Sequence, residues 1–446
     1  MAYAIKKKIL NFVRAYNFRV KLPFFKKIII GPNLNWFQFN HSLITAHALA
    51  KGFQTIFLKG CEHRNKTDHA FTLEPDQILR IRHEGINLFK VARYQICVEL
   101  QTFITDLDFS NPGHLVVIEK WFQKAATFID YVLPFFQKTR FAKAIILQGH
   151  LYDHAIIRWI CVKRGIEVVA VENTFNKEKF VWDNISGISV NKNQATNFYW
   201  RYSDVIDSQM AREYCHKYIV DIKLKKQDEH SSPNNKLILD KSRKSIFYIG
   251  QVFTDASTLF SIGNFHNPIS IIEYLVKYAI NENYNLIIKL HPKEISGSDI
   301  CQNRYNSLTH RQIRSNPPLY DLIKQNNNIY YDHANAYDTY SIIKNADVCV
   351  TINSQAGIES LLLGKIVITC GNAFYSCLNS VYRALDDRHL GFLLNQVLKN
   401  TVPGVDMNQV YKFFYIFCEK YCLPKNEKSF LRLFEKSIIN QRQGNR

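Results

Sequence analysis

Residues 285–297 read NLIIKLHPKEISG, an apolar run carrying one lysine that stops at His291 and Pro292. Runs of this length and composition, bounded by turn residues, are strands of a buried parallel sheet. Proline fixes its own φ and keeps the preceding residue extended, so the His291 imidazole is held just beyond the strand's carboxyl end. That is the edge at which open parallel sheets bind ligands. A neutral ring donates one hydrogen bond to a phosphate oxygen, and a protonated ring adds charge. The competing reading is a histidine that caps its strand and bonds nearby backbone. Lys289 alternates with Leu290 and is read as facing away from any site.

The same alternation of strand and helix extends outward from this stretch. SIFYIGQV, NIYYD, VCVTIN and IVITCG read as further strands, with helices around ISIIEYLVKYAI, YDLIKQ, AYDTYSIIKNA and AGIESLLLG between them. Earlier in the chain KKIIIG, TIFLKG, AKAIILQG and EVVAVEN repeat the pattern, separated by a mostly helical stretch from about Phe89 to Gln137. Between Lys223 and Ser245 the composition turns to Lys, Asn and Ser with a proline, the character of an exposed connection. The expected fold class is therefore α/β, with two Rossmann-like doubly wound domains facing each other across a cleft. The boundaries expected are a basic amphipathic segment over 1–28, a first domain over 29–222, a linker over 223–245, a second domain over 246–405 and a helical segment over 406–446.

Bulk properties narrow the function classes. The chain has 446 residues, 47% hydrophobic and 21% charged, and no apolar run approaches the ~20 residues that span a bilayer. MAYAIKKKIL lacks the apolar core and cleavage site of a secretory signal, so a cytoplasmic location is expected. Ten cysteines are scattered; Cys349 and Cys370 fall in apolar runs, and the Cys418/Cys422 pair has no partner pair at zinc-finger spacing. Neither a disulfide framework nor a metal centre is expected. Lys and Arg exceed Asp and Glu by 57 to 38, giving +19. Part of that excess is Lys6, Lys7, Lys8, Arg14, Arg19, Lys21, Lys26 and Lys27, with no acid in residues 1–28. Interleaved with Ile9, Leu10, Phe12 and Phe24, these charges suit an anionic membrane surface or a plain solvated face. No nucleic-acid module is recognised, and none of that partner class is expected.

Three further strand ends in the second domain carry polar groups. TINSQAGIESLLLG begins at Thr351 and places Ser354 and Gln355 at the start of a helix, where unpaired N–H groups favour an anion. Gly357 follows, permitting close approach, and Glu359 lies on the first turns, able to bond a ribose or favour the helix's positive end. In GQVFTDAS, Gly250 and Gln251 end a strand, with Asp255 and Ser257 in the loop; turn formation explains the last two equally well. CGNAFY puts Gly371 at the end of the next strand. Convergence at one sheet edge is the informative feature.

GQVFTDAS, IIKLHPKE, NSQAGIESLLLGKIVI and GNAFY, in this order and spacing, resemble the bacterial capsule polysaccharide biosynthesis family, which includes β-Kdo transferases. The likeness covers about Gln148 to Tyr375. That family is similar in fold to GT-B glycosyltransferases, and its His-Pro motif looks like the one with which bacterial sialyltransferases hold CMP. The resemblance implies an acceptor domain over 29–222 and a donor domain over 246–405. It puts His291 and Pro292 at the donor phosphate, completed by Ser354 and Gln355, with Gly357, Glu359, Gln251, Asp255 and Gly371 around them. In the first domain the matching stretch is QGHLYDHAIIRWICVKRGIEVVAVENTFNKEKFVWDNISGISVN, with Glu172 ending a strand and Asp183, Gly187 and Asn191 in the downstream turn. Asn173 stands where the family has glycine after the glutamate.

A retaining transfer needs a carboxylate near the anomeric carbon and a group that activates the acceptor hydroxyl. Glu172, Asp153 and Asp183 are the candidate acids, Glu172 first, with His150 and His154 as candidate bases. The expected activity is transfer of Kdo or a similar acidic sugar from a CMP-activated donor, CMP-Kdo, to a lipid-linked or saccharide acceptor at the inner membrane. No metal and no cofactor besides this co-substrate are expected; the DLD letters at Asp106–Asp108 lie in no strand-end context. A CDP-glycerol-type polyol-phosphate transferase, with His150 as its catalytic histidine, is the alternative enzyme. A non-catalytic nucleotide or sugar binder is the third reading.

Overall fold

The computed structural model describes residues 26–32, 41–58, 69–184, 193–229, 235–296 and 307–435. Contacts divide the chain into two units. Met1–Ile96, Asp108–Ile188 and Cys422–Arg446 form the first, and Cys97–Leu107 with Ser189–Tyr421 form the second.

The first unit is built on β1 (Lys26–Ile30), β2 (Phe53–Phe57), a small hairpin of β3 (Arg82–His83) and β4 (Ile86–Asn87), β5 (Lys143–Leu147), β6 (Glu167–Asn173) and β7 (Lys179–Asp183). In its main sheet β2, β1, β5 and β6 are neighbours in that order and run parallel. The short turn after Asn173 is too brief for a crossover, so β7 returns antiparallel to β6. Leu423–Pro424 then adds an antiparallel edge to β7. Ile29, Ile30, Ala144, Ile145 and Ile146 are fully buried, as strands covered on both faces require.

The second unit contains β8 (Ser245–Ile249), β9 (Asn285–Lys289), β10 (Ile329–Asp332), β11 (Val348–Thr351), β12 (Ile366–Thr369) and β13 (Val381–Arg383). Their order is β10-β9-β8-β11-β12-β13, all parallel. The chain steps outward from β8 to β10, then returns to the other side of β8 as β11. That reversal is a topological switch point, and the crevice beyond its strand ends is where such sheets bind ligands. The first unit reverses in the same way between β1 and β5. Helix Pro268–Asn281 shows how locally the elements are specified. Asn267 caps it with a capping box, proline opens it, and Ile271, Ile272, Leu275, Val276 and Ala279 form its buried face.

Contacts group the chain differently from the sequence-based boundaries in three places. Residues 1–25 of the basic segment, and Gly187 and Asn191, lie outside the described residues, while Lys26 and Lys27 open β1. Helix Ser208–Glu229 runs into the stretch read as a linker, and with Asn193–Tyr202 it belongs to the second unit. Cys97–Leu107 also joins the second unit. Thr105 donates to the His266 carbonyl at 2.8 Å, Asp106 meets His266 Nε2 at 2.6 Å, and Phe103 packs edge-on against Phe253. The carboxy-terminal stretch is shared: Met407–Ile416 packs in the second unit, Leu423–Pro424 in the first. Among the described residues no helix is long and apolar enough to cross a membrane.

Candidate functional site

The second unit's switch point is closed by side chains. Gln251 follows β8 and Asn353 follows β11, and each bonds the other. Gln251 Nε2 donates to Asn353 Oδ1 at 2.6 Å, and the Asn353 N–H donates to Gln251 Oε1 at 2.7 Å. Asn353 Nδ2 also donates to the Ser257 carbonyl at 3.0 Å and to the Ser261 hydroxyl. The two strand ends and the helix Ala256–Ser261 are thus one hydrogen-bonded floor. Asn353 is 8% exposed, so any bond it lost would leave a desolvated amide.

His291 stands on one side of this floor. Its Nδ1 accepts the Lys293 N–H at 3.1 Å, which places the neutral ring's proton on Nε2 and makes that atom a donor. Pro292 opens the short helix Pro292–Ser296, and Glu294 within it is fully buried. The Glu294 carboxylate accepts the Phe253 N–H at 2.8 Å and the Thr309 N–H at 3.1 Å. It therefore ties the loop after β8 to the turn that carries His291. Burial raises its pKa above the ordinary carboxylate value, opposed by these N–H groups. Gly250 is required here: a Cβ would stand 2.6 Å from the Lys289 carbonyl.

On the other side of β8, Ser354 caps helix Gln355–Leu362, its hydroxyl accepting the Ala356 N–H at 3.2 Å. The register aligns Ile249 with both Lys289 and Thr351, so the three strand ends are level. β9 and β11 are the two neighbours of β8, so His291 and the helix mouth flank its end. An imidazole N–H and the positive end of a helix dipole at one sheet edge favour an anionic ligand.

The remaining second-unit candidates have local tasks. Asp255 caps its helix through the Ser257 N–H at 2.7 Å. The space beside Gly357 holds the Tyr375 hydroxyl, which donates to the Ser354 carbonyl at 2.7 Å. Gly371 lies against the Ser261 carbonyl, 2.7 Å from where a Cβ would be. Glu359 bonds the Tyr340 hydroxyl; burial and this carboxylate raise that phenol's pKa. Lys289 is buried rather than turned to solvent, paired with Asp332 at 2.6 Å and donating to the Tyr337 carbonyl at 2.8 Å. Burial lowers its pKa, and Asp332 pulls it back up.

In the first unit the loop after β5 is backbone-strained. Gln148 takes φ 54° and Gly149 φ 92°, a left-handed pair that only the glycine adopts without cost. Gln148 Nε2 donates to Glu172 Oε1 at 3.3 Å. The antiparallel register pairs Glu172 with Val181 and Ala170 with Asp183, which puts Glu172 and Asp183 on the same face of the sheet. Both are buried, and Asp183 supports the charge of Arg158, whose pKa burial lowers. Asp153 accepts the His154 N–H at 2.8 Å and is buried at the start of helix Tyr152–Lys163. His154 is engaged structurally. Its Nδ1 lies against both the Leu147 N–H, at 2.7 Å, and the Leu147 carbonyl, at 2.5 Å, and its Nε2 meets the Pro32 carbonyl at 2.9 Å, bridging the ends of β5 and β1. His150, also buried, meets Tyr94 edge-on at 4.6 Å.

The letters DLD hold no shared ligand geometry. Asp106 is taken up by His266 and Asn267, and Asp108 by the Ser110 N–H and hydroxyl, which with other local bonds lower its pKa. Cys349 is fully buried, and burial pushes its thiol up to about 12, leaving it an apolar filler.

Comparison with known proteins gives a family match to part of the chain. Residues 192–379 match the family of the capsule polysaccharide biosynthesis protein. This bears out the resemblance for the second unit's motifs; Gln148 to Asn191 lie outside the match. Protein FixF of Sinorhizobium fredii (strain NBRC 101917 / NGR234) is 40% identical over 78 residues, 18% of this chain and 19% of that protein. The chain thus matches about a fifth of the curated relative's length. Among solved structures, the Thermosulfurimonas dismutans KpsC β-Kdo 2,7 transferase aligns with a TM-score of 0.40 at 15% identity, covering 69% of this chain and 89% of that one. The Methanocaldococcus jannaschii UDP-GlcNAc 2-epimerase aligns at 0.31 and 10%, covering 88% and 99%.

Proposed function

We propose that this chain, with its capsule-biosynthesis match over residues 192–379, is a glycosyltransferase of surface polysaccharide synthesis. It takes Kdo or a similar acidic sugar from a CMP-activated donor and transfers it to a lipid-linked or saccharide acceptor at the cytoplasmic face of the membrane. One observation carries this reading: the level ends of β9, β8 and β11 set an imidazole donor and a capped helix mouth on either side of a hydrogen-bonded polar floor. An apolar ligand would waste those donors, and an anionic one uses them.

In this reading His291 and the N–H groups after Ser354 hold the donor phosphate as it becomes the leaving group. Gln251 and Asn353 are positioning residues that fix the two strand ends. Glu172 is the first-choice carboxylate for the transfer step, with Asp153, Asp183 and His150 as the other first-unit groups. The strained turn at Gln148, whose side chain bonds Glu172, favours that choice, since such strain is stored where geometry is functional.

The test is a reaction with CMP-Kdo and a Kdo-primed lipid acceptor, following CMP release and the mass of the acceptor. Transfer adds one sugar residue and frees CMP; Glu172→Gln loses turnover by about 100-fold or more while still binding CMP. CDP-glycerol is run in parallel, and an acceptor gaining a glycerol phosphate would replace the glycosyl reading. Absence of any acceptor product with either donor would count against both.

A further inference from the structure

We propose that His69, His83 and Asp130 form a binding site for a divalent transition-metal ion of the zinc type. The three residues are far apart in sequence and arrive from separate elements of the first unit. His83 lies on β3, presented by a hairpin whose turn uses Glu84 at φ 48° and Gly85 at φ 76°. Asp130 lies on the long helix Pro112–Lys138, next to the buried Ile129. His69 is held by Phe71, whose ring packs on the imidazole at 6.2 Å and edge-on against Phe122 of that helix at 6.1 Å.

The donor atoms converge. His83 Nε2 stands 2.6 Å from Asp130 Oδ1 and His69 Nε2 stands 2.9 Å from Oδ2, and one ligand atom from each residue lies within 4.8 Å of the others. The second contact is close without being a hydrogen bond. His69 Nε2 is shielded from solvent and makes no hydrogen bond. A shielded ring nitrogen 2.9 Å from a carboxylate oxygen, on a ring packed 4.8 Å from a second imidazole and with no hydrogen bond of its own, is the arrangement a cation completes.

The chemistry of the set selects the ion. Two imidazoles and one carboxylate are borderline donors that prefer Zn²⁺ and its neighbours to Mg²⁺ or Ca²⁺. Bonds of about 2.0–2.1 Å to a tetrahedral ion put donors roughly 3.3 Å apart, within side-chain adjustments of the spacing present. Three protein ligands leave a fourth position for water. The two histidine side chains are 21% exposed and the aspartate 38%, which gives the ion a path in. Bound there, it fastens the β3–β4 hairpin and the irregular segment around Phe71 to the long helix. The competing account is a histidine–aspartate–histidine cluster that shares protons and binds no metal.

Full-length protein stripped with EDTA and titrated with ZnCl₂ and CoCl₂ separates these accounts. The proposal expects one equivalent of zinc retained after gel filtration and an apo melting temperature raised by on the order of 5 °C at saturating metal. It expects visible Co²⁺ absorption of a nitrogen and oxygen site, without thiolate charge-transfer bands. His83→Gln and Asp130→Asn should lose that equivalent and that rise while keeping CMP binding, which belongs to the second unit. No retained zinc, full retention in both variants, or thiolate bands in the wild type would overturn it. The wild-type stoichiometry and spectrum decide the matter even if a variant fails to fold.

Discussion

Gln251 and Asn353 exchange two hydrogen bonds across the switch point of the second sheet, at 2.6 and 2.7 Å, and so lock the end of β8 to the end of β11. Removing Gln251 leaves the buried Asn353 amide short of a partner. Gln251→Ala is expected to cost about 1–3 kcal/mol of stability and to weaken cytidine nucleotide binding about tenfold or more. Urea unfolding and calorimetric titration of the variant measure the two effects separately.

Gly357 and Tyr375 share one space. Gly357→Ala drives a methyl group into the Tyr375 ring and hydroxyl, and should cost about 1–3 kcal/mol. Tyr375→Phe alone gives up one hydrogen bond to the Ser354 carbonyl, about 1 kcal/mol. The double variant is expected to be more stable than the sum of the two losses, because the hydroxyl is the nearest obstacle. Strict additivity in a double-mutant cycle would refute this packing explanation.

Lys289 and Asp332 are 4% and 3% exposed and form an ion pair inside the second unit. Lys289→Met strands a buried carboxylate and should lose about 3–5 kcal/mol. Replacing both partners by apolar residues should recover much of that loss, although the backbone N–H groups of Ala336 and Tyr337 that bond Asp332 limit the recovery. Thermal denaturation of the single and double variants checks the order.

Glu294 supplies the pH dependence. Its folded pKa is raised by burial, so the native state holds the proton more tightly than the unfolded chain. Stability from this group is then greatest at and below the ordinary glutamate value of 4.5 and is lost as pH rises through the folded pKa. The wild type's advantage over Glu294→Gln should therefore shrink across the interval above pH 4.5. Chemical denaturation at a series of pH values reads this directly, and an advantage that grew with pH would contradict the burial argument.

Most of the fold was legible in the sequence because the strands are short apolar runs ending in glycine or polar turns. KKIIIG, AKAIILQG, SIFYIGQV and NLIIKL each became a strand of a parallel core, and His291 and Ser354 fell at the level strand ends the pattern implied. What stayed hidden depends on partners distant in the chain. Lys289 alternates correctly, yet its charge is satisfied by Asp332, which no local pattern could reveal. Asn353 looked like one letter of a turn, while its role comes from Gln251 a hundred residues earlier. Glu294 carries no signal in the sequence, since its two backbone donors come from Phe253 and Thr309. Gly357 read as permitting close approach, and the group that approaches it within the unit is the Tyr375 hydroxyl. The pairing of Leu423–Pro424 with β7 had no periodic signal, being only two residues long.

The account rests on an anionic cytidine nucleotide being held by His291 at the carboxyl ends of β8, β9 and β11. Calorimetric titration of CMP into the wild type and into His291→Ala tests this most directly. Saturable binding to the wild type, weakened at least tenfold in the variant with an unchanged melting temperature, is the predicted result. Equal affinity in the two proteins, or no heat with CMP, CMP-Kdo or CDP-glycerol in the wild type, would contradict it.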